Sequence, residues 1–208
     1  MTRKSELNVI FDLGGVLIDW DPRYLYHKLF AGDAAAMERF LADVCSPAWN
    51  HELDRGRAYA EAIAELGARH PGQRPLIEAY WERWLEMVAG PIQGTVALLE
   101  ALDARGVPLW ALTNWSAETF ALVRHDPAYA FLDRFREIFV SGELRLAKPE
   151  PAIFRHVLDA IGVAPGQALF IDDAARNIVA AEALGLRTHR FTSADALRGD
   201  LLRLGLLA

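Results

Sequence analysis

Several features are scarce in this sequence, and each shortage argues against a class of protein. Cys45 is the only cysteine, so the chain cannot close an internal disulfide bond, and its six histidines lack the spacing of a zinc site. The apolar runs are too short to span a bilayer, and residues 1–8 are polar and charged, so we expect neither a membrane anchor nor a signal peptide. These features predict a cytoplasmic protein.

Long blocks of like charge are also missing. The net charge is −6, with acidic and basic residues interleaved, a pattern that does not favour binding to nucleic acid or to an anionic membrane. We therefore expect a small-molecule or protein partner, and either a monomer or a homodimer. With 208 residues, 52% of them hydrophobic, the chain can form one large domain or one domain with an insert.

Strand-like and helix-like segments alternate along most of the chain, which predicts an α/β fold with a parallel sheet covered by helices on both faces. Between residues 22 and 89 the pattern is purely helical, so we expect an insert without strands. Its helices are predicted at 22–30, 33–44, 59–69 and 76–88. After a first strand that ends at Phe11, the predicted strands are 107–112, 137–141, 168–171 and 186–191, and the helices 92–104, 117–124, 151–161, 174–184 and 194–204.

Carboxylates stand at the ends of two apolar strands. Asp12 follows the first strand and precedes Gly14 and Gly15, which let the backbone approach a ligand closely. Asp172 and Asp173 follow a later strand and precede a helix. One Asp at such a place is a good helix cap, but two adjacent carboxylates repel each other unless they share a cation, and Mg²⁺ prefers such hard oxygen ligands.

Two further stretches supply groups that suit an anion. Thr113 and Asn114 follow another strand, just before a helix whose free N–H groups favour negative charge, although capping of that helix is the simpler explanation. Lys148 stands directly before Pro149, whose ring restricts the backbone and helps to fix the lysine's direction. A lone lysine is usually solvated, but a phosphate near a carboxylate needs a fixed cation.

This ordered set resembles the four motifs of the haloacid dehalogenase superfamily of aspartate-nucleophile hydrolases, over nearly the whole chain. The resemblance implies a Rossmann-like core domain of residues 1–18 and 92–208. It also implies a helical-bundle cap domain of residues 19–91, placed between motifs one and two as in subfamily IA. The motifs are matched, in order, by Asp12, Thr113, Lys148–Pro149 and Asp172–Asp173.

The resemblance further implies a magnesium-dependent phosphatase acting on a small phosphorylated metabolite. Asp12 would attack the phosphorus of a phosphomonoester and form an aspartyl-phosphate, which water hydrolyses. Asn177 is expected to orient the acidic pair. The expected Mg²⁺ ligands are Asp12, the Gly14 carbonyl and Asp173, with Asp172 as a second ligand or outer partner. The phosphoryl oxygens would be held by Thr113, Asn114, Lys148 and the N–H groups near Gly14 and Gly15.

Gly14 departs from the family pattern, because phosphatases of this family usually carry at that position an Asp that acts as general acid and base. Its loss could cost on the order of 10²- to 10⁴-fold in rate. The alternative is a substrate whose leaving group departs easily, as an anomeric sugar hydroxyl does, and the resemblance to a glucose-1-phosphate phosphatase branch points to a sugar phosphate. The residues that could substitute for the missing acid are Asp19, Asp21, His51, Glu52 and Asp54.

The cap sequence offers candidates for substrate selection. We expect a loop near residues 49–57 to reach over the active site, with Trp49, Glu52 and Arg55 as selecting residues. Trp81 and Trp84 are three positions apart on a predicted helix and are expected to pack inside the cap.

Two other functions are compatible with these motifs. A 2-haloacid dehalogenase would use Asp12 to displace halide without magnesium, but an acidic pair without a metal would repel a carboxylate substrate. A non-catalytic phosphate- or metabolite-binding protein would keep the pocket without turnover, although a binder has no need of a nucleophile.

Overall fold

The computed structural model describes residues 7–208. The prediction that residues 1–8 are not a signal peptide therefore falls mostly outside the described residues. Within residues 7–208, no helix combines the length and the apolar character needed to cross a membrane.

The described chain contains seven β-strands and eleven α-helices, joined by turns and short 3₁₀ helices. The strands are β1 (Asn8–Phe11), β2 (Ile18–Trp20), β3 (Val88–Pro91), β4 (Leu109–Thr113), β5 (Ile138–Val140), β6 (Ala168–Asp172) and β7 (Arg187–Arg190). The helices are α1 (Arg23–Leu29), α2 (Ala34–Asp43), α3 (Pro47–Asp54), α4 (Tyr59–Arg69), α5 (Arg74–Glu82), α6 (Gln93–Ala104), α7 (Ala117–Val123), α8 (Ser141–Leu144), α9 (Pro151–Ile161), α10 (Ala175–Ala183) and α11 (Ala194–Arg203).

Five parallel strands form the central sheet in the order β5-β4-β1-β6-β7. Because side chains alternate along a strand, Val9 and Phe11 of β1 join the apolar cluster on one face of the sheet, and Ile10 joins the cluster on the other. Helices α6 and α11 contribute buried side chains to the first cluster, and α9 and α10 to the second. The predicted α/β fold is confirmed.

The first of these clusters continues without interruption into the helical segment between β2 and β3. Tyr26, Tyr80 and Trp84 of that segment belong to the same buried cluster as Phe11 and Leu99 beneath the sheet. Trp84 is buried, as expected for a packing residue, but its ring centroid lies 5.6 Å from that of Trp115, so it packs outside the predicted cap as well.

The prediction of an insert without strands is wrong. Strands β2 and β3 form an antiparallel ribbon where the chain enters and leaves the helical segment, with Asp19 opposite Gly90. Each strand has only three or four residues, too few to show alternation, and Pro91 is tolerated because the ribbon has only edges. The division into core and cap domains remains a prediction.

Helix α3 was missed, since residues 49–57 were expected to be a loop. Pro47 occupies the first turn, and the Ser46 hydroxyl accepts a hydrogen bond from the Trp49 N–H at 3.2 Å. The following polar residues, Asn50 to Glu52, interrupt the apolar periodicity and hide the helix. The actual turn comes at Gly56, whose φ is +89°.

Candidate active site

The four predicted motifs meet at one edge of the sheet. Asp12 directly follows β1, while Thr113 and Asp172 are the last residues of β4 and β6, the two strands that flank β1. Because the carboxyl ends of parallel strands lie at the same edge, these side chains converge. Lys148 reaches the same point from the segment between α8 and α9.

Lys148 is buried at the centre of the site, with a side chain only 1% exposed. Its Nζ donates to Asp172 Oδ2 at 2.7 Å and to the Leu112 carbonyl at 2.8 Å, and lies 2.9 Å from Asp12 Oδ2. Asn114 holds its backbone from both sides, since Asn114 Nδ2 donates to the Lys148 carbonyl at 2.9 Å and the Lys148 N–H donates to Asn114 Oδ1 at 2.8 Å. The backbone that carries the ammonium is therefore fixed by the Asn114 amide.

The two adjacent carboxylates have different surroundings. Asp172 is fully buried, and it accepts hydrogen bonds from Lys148 Nζ, from Asn177 Nδ2 at 3.0 Å to both oxygens, and from the Ala174 N–H at 2.8 Å. Asp173 is exposed to the cavity. The predicted orienting role of Asn177 thus has a geometric basis at Asp172.

Burial and neighbouring charges shift the pKa values of the three carboxylates in different directions. Burial raises the pKa of Asp12 well above its ordinary value, and the charge of Asp172 adds to this while Lys148 opposes it. Burial also raises the pKa of Asp172, but the charge and the hydrogen bonds of Lys148 outweigh this effect, so the pKa is lowered overall. The pKa of Asp173 is raised by burial and by the charge of Asp172. The protein alone supplies too little positive charge for three carboxylates.

The donor set fits a magnesium ion. Asp12, Asp172 and Asp173 each offer an oxygen, and these oxygens lie within 4.8 Å of one another. Carboxylates with water are the ligand set that Mg²⁺ prefers. The buried Oδ1 of Asn177, which also lines the cavity, has no hydrogen-bond partner among residues 7–208, and it could accept a hydrogen bond from a metal-bound water.

Gly14 and Gly15, which follow Asp12 closely in the sequence, differ in backbone conformation and in the space around them. Gly15 has φ +72°, and a Cβ atom there would lie 2.9 Å from Asp173 Oδ2, so only glycine lets Asp173 approach. Its N–H donates to the Ile18 carbonyl at 2.9 Å, which corrects the expectation that this N–H holds phosphate. At Gly14 the φ is not in the left-handed region, and a Cβ atom would meet no atom within 4 Å among the described residues.

A cavity of about 620 Å³ extends from the strand ends between the sheet and helices α2 and α3. Asp12, Lys148 and Asp173 line one end, and apolar side chains such as Leu41 line another part. A smaller recess of about 80 Å³ is lined by Gly14. Sequence reasoning missed four charged or polar lining residues, because they come from four separate helices: Arg23, Glu38, Asn50 and Arg176.

The three predicted cap residues lie on or next to α3. Trp49 is buried and packs edge-on against Tyr80, with 5.1 Å between ring centroids, and it is not among the described residues that line the cavity. Its predicted role in selection is therefore replaced by a packing role. Glu52 is ion-paired with Arg57, and Arg55 with Glu150. Selection by Glu52 and Arg55 remains a prediction.

Comparison with known families identifies this arrangement. The family model of the haloacid dehalogenase-like hydrolases matches residues 8–185, which includes all four motifs. The chain belongs to this family. The predicted membership and the prediction of an enzyme are confirmed, while subfamily IA and the glucose-1-phosphate branch remain predictions.

This hydrolase is similar to curated phosphatases along most of its length. It is 28% identical over 200 residues to a sesquiterpene phosphatase from Aspergillus oryzae, covering 94% of both chains. It is 34% identical over 200 residues to a phosphoglycolate phosphatase from Rhodospirillum rubrum, covering 86% of this chain and 76% of the relative.

A solved structure agrees with both the fold and the family. A haloacid dehalogenase family enzyme from Bacteroides thetaiotaomicron, in complex with magnesium and inorganic phosphate, is 26% identical to this hydrolase. The two structures superpose with a TM-score of 0.67 over 89% of this chain and 94% of the other.

Proposed function

We propose that this hydrolase is a magnesium-dependent phosphatase that cleaves a small phosphomonoester through an aspartyl-phosphate on Asp12. The observation that carries the proposal is the charge arrangement at the sheet edge. Asp12 and Asp172 both contact one buried ammonium, that of Lys148, and oxygens of Asp12, Asp172 and Asp173 lie within 4.8 Å of one another. Asp12 is further fixed by a hydrogen bond from the Leu13 N–H to its Oδ1 at 2.7 Å.

Asp12 Oδ2 would attack phosphorus, with Lys148 offsetting the charge of the approaching phosphate. A carboxylate needs no activating base, but it must be ionised and must meet an anion. Bound magnesium, held by Asp12, Asp173 and the Gly14 carbonyl, would supply the positive charge that keeps Asp12 ionised and neutralises the phosphoryl oxygens. We infer that Thr113, at the end of β4, would hold one of these oxygens.

The relatives support this activity. Both relatives described above are named as phosphatases, and the similar enzyme from Bacteroides thetaiotaomicron carries magnesium and phosphate together. Their different substrates leave the leaving group of this enzyme open. We propose a small phosphorylated metabolite, with a sugar phosphate as one candidate, and residues 19–91 as the cap that covers it.

The dehalogenase alternative fits the site less well. A 2-haloacid carries its own carboxylate, and the acidic cluster would repel it where no cation is bound. A non-catalytic binding protein would also need no nucleophilic carboxylate such as Asp12 beside a buried lysine. Both remain outcomes of the experiment.

The test is turnover of a phosphate-ester panel with magnesium and with excess chelator, repeated with a 2-haloacid and with the variant Asp12→Asn. We expect magnesium-dependent phosphate release that Asp12→Asn abolishes, because the amide is nearly isosteric but a poor nucleophile. Phosphate release that survives chelation would contradict the magnesium requirement, and halide release from the haloacid would favour the dehalogenase. Phosphate binding without any turnover would favour the binding protein.

A further inference from the structure

Cleavage of the phosphate ester needs a proton donor, and the residues that follow β1 do not supply one. When the bond from phosphorus to the leaving oxygen breaks, an alkyl leaving group departs as an alkoxide unless an acid protonates it. Gly14, which stands where related phosphatases carry that acid, has no side chain. The inference below rests on the proposed phosphatase function and concerns which residue provides this proton.

Three of the five candidate acids are engaged elsewhere. The Asp19 carboxylate accepts a hydrogen bond from the Tyr24 hydroxyl at 2.9 Å, and Asp21 and Glu52 are each ion-paired with an arginine. None of the three is among the described residues that line the cavity or the recess. The candidates that remain are His51 and Asp54.

Asp54 lies where the main cavity and the smaller recess adjoin. It lines the main cavity, which contains Asp12, and also the recess that Gly14 lines, whereas His51 lines only the main cavity. The Asn50 Nδ2 donates to Asp54 Oδ2 at 3.0 Å, and Asn50 Oδ1 accepts from the Tyr80 hydroxyl at 2.8 Å. The orientation of the amide is therefore set by Tyr80, and the amide in turn positions the carboxyl group.

The C-terminal end of α3, which carries Asp54, is hydrogen-bonded to the segments that follow β4 and β5. The Ser141 hydroxyl donates to the Asp54 backbone carbonyl, and the same oxygen accepts from the Trp115 N–H at 2.9 Å. Two residues later, Gly56 lies so close to Gly142 that a Cβ atom on Gly56 would be 2.6 Å from the Gly142 carbonyl oxygen. Asp54 is therefore held at a fixed place relative to the strand ends.

The surroundings of Asp54 also keep a proton on it near neutral pH. Burial raises its pKa to about 7, while the Ser116 N–H and the charge of Lys148 act in the opposite direction. The other titratable groups that face it are the phenols of Tyr59 and Tyr80. His51, on the same helix, has a lowered pKa because of burial and two arginines, so it is mainly neutral at pH 7 and a weaker acid candidate.

We propose that Asp54 is the general acid and base of this phosphatase, in place of the side chain absent at Gly14. As Asp12 attacks, the bond between phosphorus and the leaving oxygen breaks, and that oxygen takes the proton of the Asp54 carboxyl group. The Asp54 carboxylate then accepts a proton from water, whose oxygen attacks the phosphorus of the aspartyl-phosphate. Inorganic phosphate leaves, Asp12 regains its carboxylate, and Asp54 is protonated again.

The test compares kcat/KM of Asp54→Asn with that of the wild type on p-nitrophenyl phosphate and on ethyl phosphate, with magnesium. We expect a loss of about 10²- to 10⁴-fold for ethyl phosphate, which needs a proton, and a loss below about tenfold for p-nitrophenyl phosphate, which does not. Gly14→Asp in the Asp54→Asn background should restore part of the ethyl phosphate rate, because the recess has room at Gly14. Asp43→Asn, the same change on the exposed surface of α2, is the control and should behave as the wild type.

The pH dependence supplies a second readout. In the wild type, kcat/KM for ethyl phosphate should fall as pH rises through the pKa of Asp54, because the proton is lost, and this limb should be absent in Asp54→Asn. The same substrate is used for both proteins, so titration of the phosphate itself cancels. Thermal melting of Asp54→Asn and Asp54→Ala shows whether each variant is folded.

The possible results distinguish failure of the Asp54 assignment from failure of the proposed phosphatase function. An equal loss on both esters in folded Asp54→Asn, or no loss, would overturn the role of Asp54, and the same leaving-group effect in His51→Gln would transfer the role to His51. Wild-type protein that hydrolyses neither of these esters nor any member of the phosphate-ester panel with magnesium would overturn the proposed phosphatase function, and the assignment of Asp54 would fall with it.

Discussion

The contact between Gly15 and Asp173 makes a quantitative prediction about magnesium binding. In Gly15→Ala the new Cβ would lie 2.9 Å from Asp173 Oδ2, whereas ordinary contacts begin near 3.4 Å, so the carboxylate must withdraw by about half an ångström. The left-handed φ of +72° adds a strain of about 1–2 kcal/mol for a residue with a side chain. We expect the magnesium concentration for half-maximal activity to rise about 10- to 100-fold, as for other disturbed metal ligands.

Gly106→Ala is the matched control. Gly106 has almost the same left-handed φ, +74°, but a Cβ atom there would meet nothing within 4 Å among the described residues. Both variants should therefore lose a similar free energy of unfolding in chelator, measured by urea denaturation. Only Gly15→Ala should weaken magnesium binding, measured by calorimetry. Equal magnesium affinity in the two variants would refute the close approach of Asp173 to the metal.

Three further predictions concern the charges and the cap. Lys148→Met should cost about 3–5 kcal/mol of stability in urea denaturation with chelator, because it leaves buried carboxylates unpaired; a loss below 1 kcal/mol would contradict the pairing. Asp173→Ala should raise the magnesium requirement more than Asp172→Ala does, while Asp172→Ala should lower the melting temperature more, since Asp172 is the buried partner of the lysine. Arg55→Ala and Glu52→Ala should change the relative rates across a panel of sugar phosphates if these residues select substrate; a uniform effect would assign them to packing.

The sheet and the convergence of the motifs could be predicted because both follow from local rules. Apolar strands such as that before Asp12 alternate with amphipathic helices, and parallel topology then brings the strand ends together. The positions of Asp12, Thr113 and Asp172 follow from this rule. The position of Lys148, in the segment between α8 and α9, was expected from the family resemblance.

The bonding of Asn114 and Gly15 could not be predicted, because it depends on contacts distant in sequence. Asn114 meets the Lys148 backbone 34 residues away, and Gly15 makes room for Asp173. Helix α3 was missed for a related reason. Its polar side chains are used at the cavity, so they do not show the apolar periodicity of a core helix.

The apolar cluster that runs from beneath the sheet into the helical segment has a consequence for how this protein unfolds. Tyr26 and Tyr80, between β2 and β3, share one buried cluster with Phe11 and Leu99, so neither part keeps a complete interior without the other. Cooperative units follow shared cores rather than chain topology. We therefore expect one calorimetric transition in which the helical segment and the sheet melt together, and a core cut out at the β2–β3 ribbon would expose a large apolar surface and aggregate.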